Sequence, residues 1–99
     1  MGSYRISNDA IDDLSNIWNY SADQWSENQA NKYYKELKSA FEKISENPES
    51  GRNFEEMDKI FFGYMINRHI VFYRKHSVEG IEIVRILHER MDIAKQMLE

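Results

Sequence analysis

The feature that most constrains this chain is a change of hydrophobic period part-way along it. From residue 8 to residue 44 apolar side chains recur every three or four positions; from residue 60 to residue 87 they come in β-branched and aromatic runs. The first part reads Ile11, Leu14, Trp18 and Trp25, with Ala10 and Ile17 alongside, then Ala30, Tyr33, Leu37, Phe41 and Ile44. Such spacing puts one apolar stripe on each of two amphipathic helices. Ser26 followed three residues later by Gln29 has the form of a capping box, so the second helix starts there and the joint is tight enough for an antiparallel hairpin. Ahead of the first helix, Tyr4 and Ile6 flank Arg5 as a short strand, and Ser7, Asn8 and Asp9 offer side-chain oxygens to cap the helix start.

Asn47 and Pro48, then Ser50 and Gly51, stop the second helix and open a polar loop running to Asp58. Beyond it, Ile60, Phe61, Phe62, Tyr64, Met65 and Ile66 form one strand and His69 to Arg74 a second. Asn67 and Arg68 make the hairpin turn between them, an uneven pair because asparagine accepts a left-handed backbone and arginine resists it. A turn at Ser77 to Gly80 leads to a strand over Ile81 to Leu87, and Asp92 can cap a last helix carrying Ile93, Ala94, Met97 and Leu98. The expectation is one α+β domain over residues 1–99, of order β-α-α-β-β-β-α, with the helical hairpin packed on one face of a small antiparallel-rich sheet. The other face is then left to solvent, to the last helix or to a partner. Two strand rows there carry an arginine among apolar residues: Ile81, Ile83, Arg85 and Leu87 in one, Ile70, Phe72 and Arg74 in the other. Each arginine reaches water along its stem at a strand end, pairs with a carboxylate such as Asp92, or faces a target.

Composition narrows the function. With 99 residues and no cysteine the chain has room for one core, and lacks disulfides, thiolate metal sites and cysteine nucleophiles. No apolar run approaches the ~18 residues of a membrane span, and no apolar signal segment opens the chain, so a cytoplasmic protein is expected. The net charge of −4 argues against a protein that coats phosphate backbones. Charge is also uneven: residues 1–58 hold 6 Lys or Arg against 12 Asp or Glu, whereas residues 59–99 hold 7 against 5. Acidic solvated helices explain that split, as does a basic second half that meets a target.

His69, His76 and His88 are too scattered for metal-ligand spacing, and the glycines Gly2, Gly51, Gly63 and Gly80 are too isolated to cradle a phosphate. Asp12 with Asp13, and Glu55 with Glu56, read as solvated carboxylates, so neither metal nor cofactor is expected. One catalytic arrangement has a chemical rationale. Arg74, Arg85 and Arg90 could stabilise phosphorane-like charge while His88 moves a proton in RNA cleavage. The plainer reading of His88 is a hydrogen-bonded residue at a strand end.

Specific marks then accumulate: YRIS at the start with Ala10, Asp13 and Leu14; Gln29, Ala30, Tyr33 and Leu37; Pro48, Gly51 and Arg52; HIVFYR at 69–74; RILHERMD at 85–92. From about Tyr4 to its C-terminus the chain resembles the ParE toxins of bacterial type II toxin–antitoxin systems, in the RelE/ParE superfamily, and the last two marks are the specific ones. The resemblance implies a two-layer α+β fold and a toxin that inhibits DNA gyrase, and so blocks replication, without being an enzyme. It further implies neutralisation by direct binding of a ParD-like antitoxin in a hetero-oligomer, with no sequence-specific nucleic-acid binding. Target contacts are expected at Arg74, Arg85, His88, Arg90 and Met91, and antitoxin contacts at Leu14, Trp18, Tyr34 and Phe72. The alternative is the RelE branch, ribosome-dependent mRNA endoribonucleases, in which His88, Arg85 and Arg74 would be catalytic. That branch has a strongly basic face and commonly a C-terminal tyrosine or histidine; here the last aromatic residue is Tyr73 and the charge is negative, which favours ParE. Asn67, where the family often has glycine, is a departure confined to the hairpin.

Overall fold

A computed structural model describes residues 2–53, 61–76, 80–91 and 95–96. Strand β1 (Tyr4–Ile6) enters helix α1 (Asn8–Gln24) through Ser7, whose hydroxyl accepts from the Ala10 amide at 3.1 Å and donates to the Val84 carbonyl at 2.8 Å. One side chain thus caps the helix and ties it to the sheet. Helix α2 (Glu27–Glu46) starts at Ser26, whose Oγ accepts from the Gln29 amide at 3.0 Å, as the serine–glutamine spacing predicts. A single 3-10 turn, Pro48–Ser50, follows, then β2 (Arg52–Asn53), β3 (Phe62–Ile66), β4 (His69–His76) and β5 (Gly80–His88). The sheet order is β1-β5-β4-β3-β2; β1 and β5 run parallel and every other neighbouring pair is antiparallel.

The α+β architecture and hairpin-on-sheet packing agree with the sequence reading, with three differences. Strand β2 lies inside the stretch read as a loop; two residues are too few for alternation to reveal. Phe61 lies outside β3. Trp25 belongs not to the core stripe but to the end of α1, where it is 74% exposed. The predicted last helix with its Asp92 cap, the Glu55–Glu56 pair and the Ser77 side of the β4–β5 turn lie outside the described residues.

The core is built from Ala10 and Leu14 of α1, Leu37, Phe41 and Ile44 of α2, and Val71, Tyr73, Ile81, Ile83 and Ile86 of the two central strands. Each large aliphatic or Phe side chain buried there contributes about 1.5–3 kcal/mol. Along β4 the odd positions face the helices. Along β5 the alternation breaks, because Tyr73 pairs with Ile83 while Phe72 pairs with Arg85, leaving Val84 as an extra residue. This bulge corrects the row expected from sequence: Ile81 and Ile83 share the core with Ile86, and Arg85 and Leu87 turn to the opposite face. In the β3–β4 turn Asn67 takes the left-handed backbone at φ 51°, and it is the only described non-glycine residue at positive φ, so Arg68 escapes the strain.

Tyr73 ties the connection after α2 to the sheet. Its buried hydroxyl donates to the Pro48 carbonyl and accepts from the Gly51 amide, both at 2.8 Å, and its ring stacks on Phe62 at 5.5 Å. A Cβ at Gly51 would stand 2.4 Å from that hydroxyl oxygen, which accounts for the glycine. Burial pushes the Tyr73 phenol above its ordinary range.

Candidate binding surfaces

Helix α1 carries more apolar surface than the core uses. Ala10, Leu14 and Ile17 turn inward, while Ile11, 48% exposed, and Trp18 flank the stripe. Together with Ile6 and with Asn31 and Tyr34 of α2 they line an open groove of about 490 Å³. Trp18 is oriented there by its Nε1, which donates to Asn31 Oδ1 at 3.0 Å, and the Lys38 ammonium sits 5.8 Å from the Tyr34 ring centroid. Leu14, Trp18 and Tyr34, expected as antitoxin contacts, therefore meet in one groove. Phe72 does not join them. It is fully buried on the far face of the sheet, opposite Arg85, and Ile70 and Leu87 are buried there too. Sequence leaves that face to solvent, to the last helix or to a partner; in the folded chain these three side chains are not exposed on it.

Arg85 is likewise not a free cation. Its Nε and Nη2 donate to the two carboxylate oxygens of Asp13 on α1 at 2.8 and 3.1 Å, and its Nη1 reaches the Gln96 carbonyl at 3.5 Å. Asp13 Oδ2 also accepts from the Ile86 amide at 2.9 Å, on the edge of β5 that three-residue β1 leaves uncovered. The carboxylate thus acts as a substitute strand partner, and it holds the guanidinium above its usual basicity mainly through these hydrogen bonds. Among the described residues the carboxylate partner of Arg85 is Asp13; the expected partner Asp92 lies outside them. Arg74 is also engaged: its Nε and Nη2 lie 2.8 and 2.7 Å from Glu82 Oε1, while Arg5 Nε approaches Glu82 Oε2 at 3.3 Å. Glu82, a buried carboxylate between two arginines, makes this a row across β1, β5 and β4.

His88 belongs to the helix side. It pairs with His69 across β4 and β5 with ring centroids 5.3 Å apart, and the Tyr33 hydroxyl of α2 lies 2.7 Å from His69 Nδ1. Burial, then the neighbouring His88, pushes the His69 pKa down; burial pushes Tyr33 up to about 12. His88 Nδ1 accepts the Arg90 amide at 3.1 Å, its carbonyl accepts the Met91 amide at 3.0 Å, and Glu89 is anchored to the hairpin turn by the Arg68 carbonyl and an Arg68 ion pair at 3.0 Å. The result is a braced turn presenting Arg90 and Met91 to solvent. Arg74, Arg85, His88 and Arg90 are therefore not one constellation, since His88 faces the helices beside His69, Arg74 lies on the other face against Glu82, and Arg85 is held at the β5 edge by Asp13. Among the described residues no group of three or more His, Asp or Glu could hold a metal ion, and no helix is long and apolar enough to cross a membrane.

Sequence reasoning assigned Asp13 to solvent and passed over Glu82. A signal for Asp13 existed: it stands three residues after Ala10 and four before Ile17, on the helix face that meets the sheet.

A family model described as "ParE toxin of type II toxin-antitoxin system, parDE" matches residues 4–93. The chain belongs to the ParE toxin family. Relatives include toxin ParE1 of Caulobacter vibrioides, 37% identical over 92 residues that cover 93% of this chain and 94% of that one. Toxin ParE1 of Mycobacterium tuberculosis H37Rv is 33% identical over 94 residues, covering 95% and 96%. The fold is also that of a solved chain from the chromosomal ParDE TA system of P. aeruginosa, with a TM-score of 0.76 at 17% identity over 89% of this chain and 96% of that one. As a ParE toxin the protein works by binding and not by catalysis.

Proposed function

We propose that this ParE-family chain is a cytoplasmic toxin that blocks replication by binding DNA gyrase, and that a ParD-like antitoxin neutralises it by direct binding in a hetero-oligomer. The observation that carries the antitoxin half is the α1–α2 groove, where Ile11, Trp18 and Tyr34 stay accessible although the core is complete without them. An amphipathic helix laid into such a groove would bury their apolar surface. For the gyrase half, the braced turn offers Arg90, which makes no ion pair with a described residue, beside Met91, 48% exposed. In this reading Arg90 and Met91 touch the target, His88 shapes their turn, half-exposed Arg74 borders the surface, and Arg85 supports it from behind.

Purified protein is expected to inhibit gyrase supercoiling or to trap its cleavage complex, and R90E/M91E to lose that effect while melting like the parent. I11E/W18S is expected to keep gyrase inhibition and lose rescue by antitoxin. Inactivity of the parent in both gyrase assays removes the gyrase claim. The ribonuclease reading has less support, because Arg74 and Arg85 are bound to carboxylates and His88 packs edge-on against His69 on the helix side of the sheet; new cuts in translated messages after brief expression would restore it.

A further inference from the structure

On the opposite side of α2 from the α1–α2 groove, Lys32, Lys35 and Lys43 line a second groove of about 540 Å³ with Tyr64, Met65 and Ile66 of β3. These lysines are exposed and none makes an ion pair with a described residue, whereas Arg5, Arg68, Arg74, Lys75 and Arg85 all have carboxylate partners. Three lysines without a described carboxylate partner thus line one groove in a chain whose net charge is −4.

The floor of the groove is apolar and low. Met65 is 55% exposed, and exposed Ser39 is a small residue on α2 beside it that lets another backbone come close. Strand β3 is also incompletely paired on this side: β2 covers Phe62 and Gly63 only, so Met65 and Ile66 have no described strand neighbour there. We propose that this groove docks a carboxylate-rich, extended segment of a partner protein, with an apolar side chain of that segment resting on Met65.

Charge and geometry favour this occupant. The eleven helical steps from Lys32 to Lys43 rise about 16 Å, a length that about five extended residues match. Acidic residues at alternate positions of such a segment face the lysines while the intervening ones face the sheet. Glu36 is the exception in the groove wall; it is engaged by the Asn67 amide at 3.4 Å, and its charge opposes a continuous phosphate backbone more than a segment with spaced carboxylates.

The test uses the full chain and a fluorescein-labelled peptide of alternating glutamate and leucine, read by anisotropy, with labelled oligo-dT as the rival ligand. K32Q/K35Q/K43Q is expected to weaken peptide binding about tenfold, from three exposed charge contacts, and 1 M salt to do the same by screening. M65Q should weaken it less, and Y20S, at an exposed α1 residue outside both grooves, should leave it unchanged. All substituted side chains here are exposed or half-buried, and unfolding midpoints matched to the parent verify the fold. Equal affinity of the lysine variant, tighter binding of oligo-dT, or a lysine-dependent self-association seen by sedimentation overturns the proposal. Gyrase inhibition is read separately, so either result stands without the other.

Discussion

Replacing Asp13 by alanine isolates what joins the first helix to the last strand. The substitution removes three acceptor contacts at once: two to the Arg85 guanidinium and one to the Ile86 amide. The side chains of Arg85 and Asp13 are 22% and 12% exposed, so the pair is mostly desolvated and salt screens it weakly. Breaking a fully buried pair from one side costs about 3–5 kcal/mol, and residual exposure lowers that here. An amide left without an acceptor adds about 1–3 kcal/mol. A loss of about 3 kcal/mol is expected for D13A, which lowers the melting temperature of a chain this size by roughly 12 °C or more. R85M keeps the stem and leaves Asp13 bonded to Ile86, so it should cost about half as much, near 1.5 kcal/mol. The double variant measures their coupling, expected at roughly 1–2 kcal/mol. Urea unfolding of the four proteins supplies all the values. Losses under about 0.5 kcal/mol for both single variants, adding without coupling, would refute the reasoning and return Arg85 to the surface as a target contact.

Three further outcomes are expected. Y73F strands the Gly51 amide and the Pro48 carbonyl at a buried site, and should cost about 1–3 kcal/mol in chemical denaturation; a change below 0.5 kcal/mol would mean that water replaces the phenol. The folded state holds His69 below its ordinary pKa of 6.5, so the unfolded chain takes up protons first as pH falls. Stability contributed by neutral His69 is therefore complete above that value and lost as pH drops from it toward the folded pKa, and H69Q should flatten this part of the profile of unfolding midpoint against pH. Gly80 has φ +81° and its missing Cβ would lie 2.4 Å from the Ser3 carbonyl oxygen, so G80A should destabilise the β1–β5 junction by about 1–3 kcal/mol; a midpoint equal to the parent's would contradict the strain.

The helices and their joint were legible because their signals are local: Ser26 with Gln29 fixes a start, and the Tyr33–Leu37–Phe41–Ile44 row fixes a face. The bulge was not legible. Ile83, Val84, Ile86 and Leu87 are all apolar, so no polar residue marks where alternation slips, and the slip shows only in pairing with β4. That shift by one position explains why Arg85 and Leu87 were grouped with Ile81 and Ile83. The Asp13–Arg85 pair was hidden by a sequence separation of 72 residues, and Phe72 entered as an antitoxin contact through the family resemblance, its burial being set by packing that spacing does not show. Leu14 and Trp18 were legible from helical spacing as members of the α1 stripe, whereas Tyr34 lies outside the α2 stripe and entered only through the family resemblance.

The parallel pairing of β1 with β5 also sets an order of events during synthesis. Residues Tyr4 to Ile6 wait for Ile81 to Ile83, and the tie from the Ser7 hydroxyl to the sheet waits for the Val84 carbonyl, so the opening segment leaves the ribosome long before its partners exist. Local structure such as the α1–α2 hairpin can form early, but the sheet edge and the Asp13 anchor close only when β5 has emerged. A chain interrupted before residue 81 lacks the strand that joins both ends of the fold, together with the braced turn beyond it. With the target surface placed at that turn, as proposed above, nascent fragments of this toxin should be inert, the surface being completed among the last steps of folding.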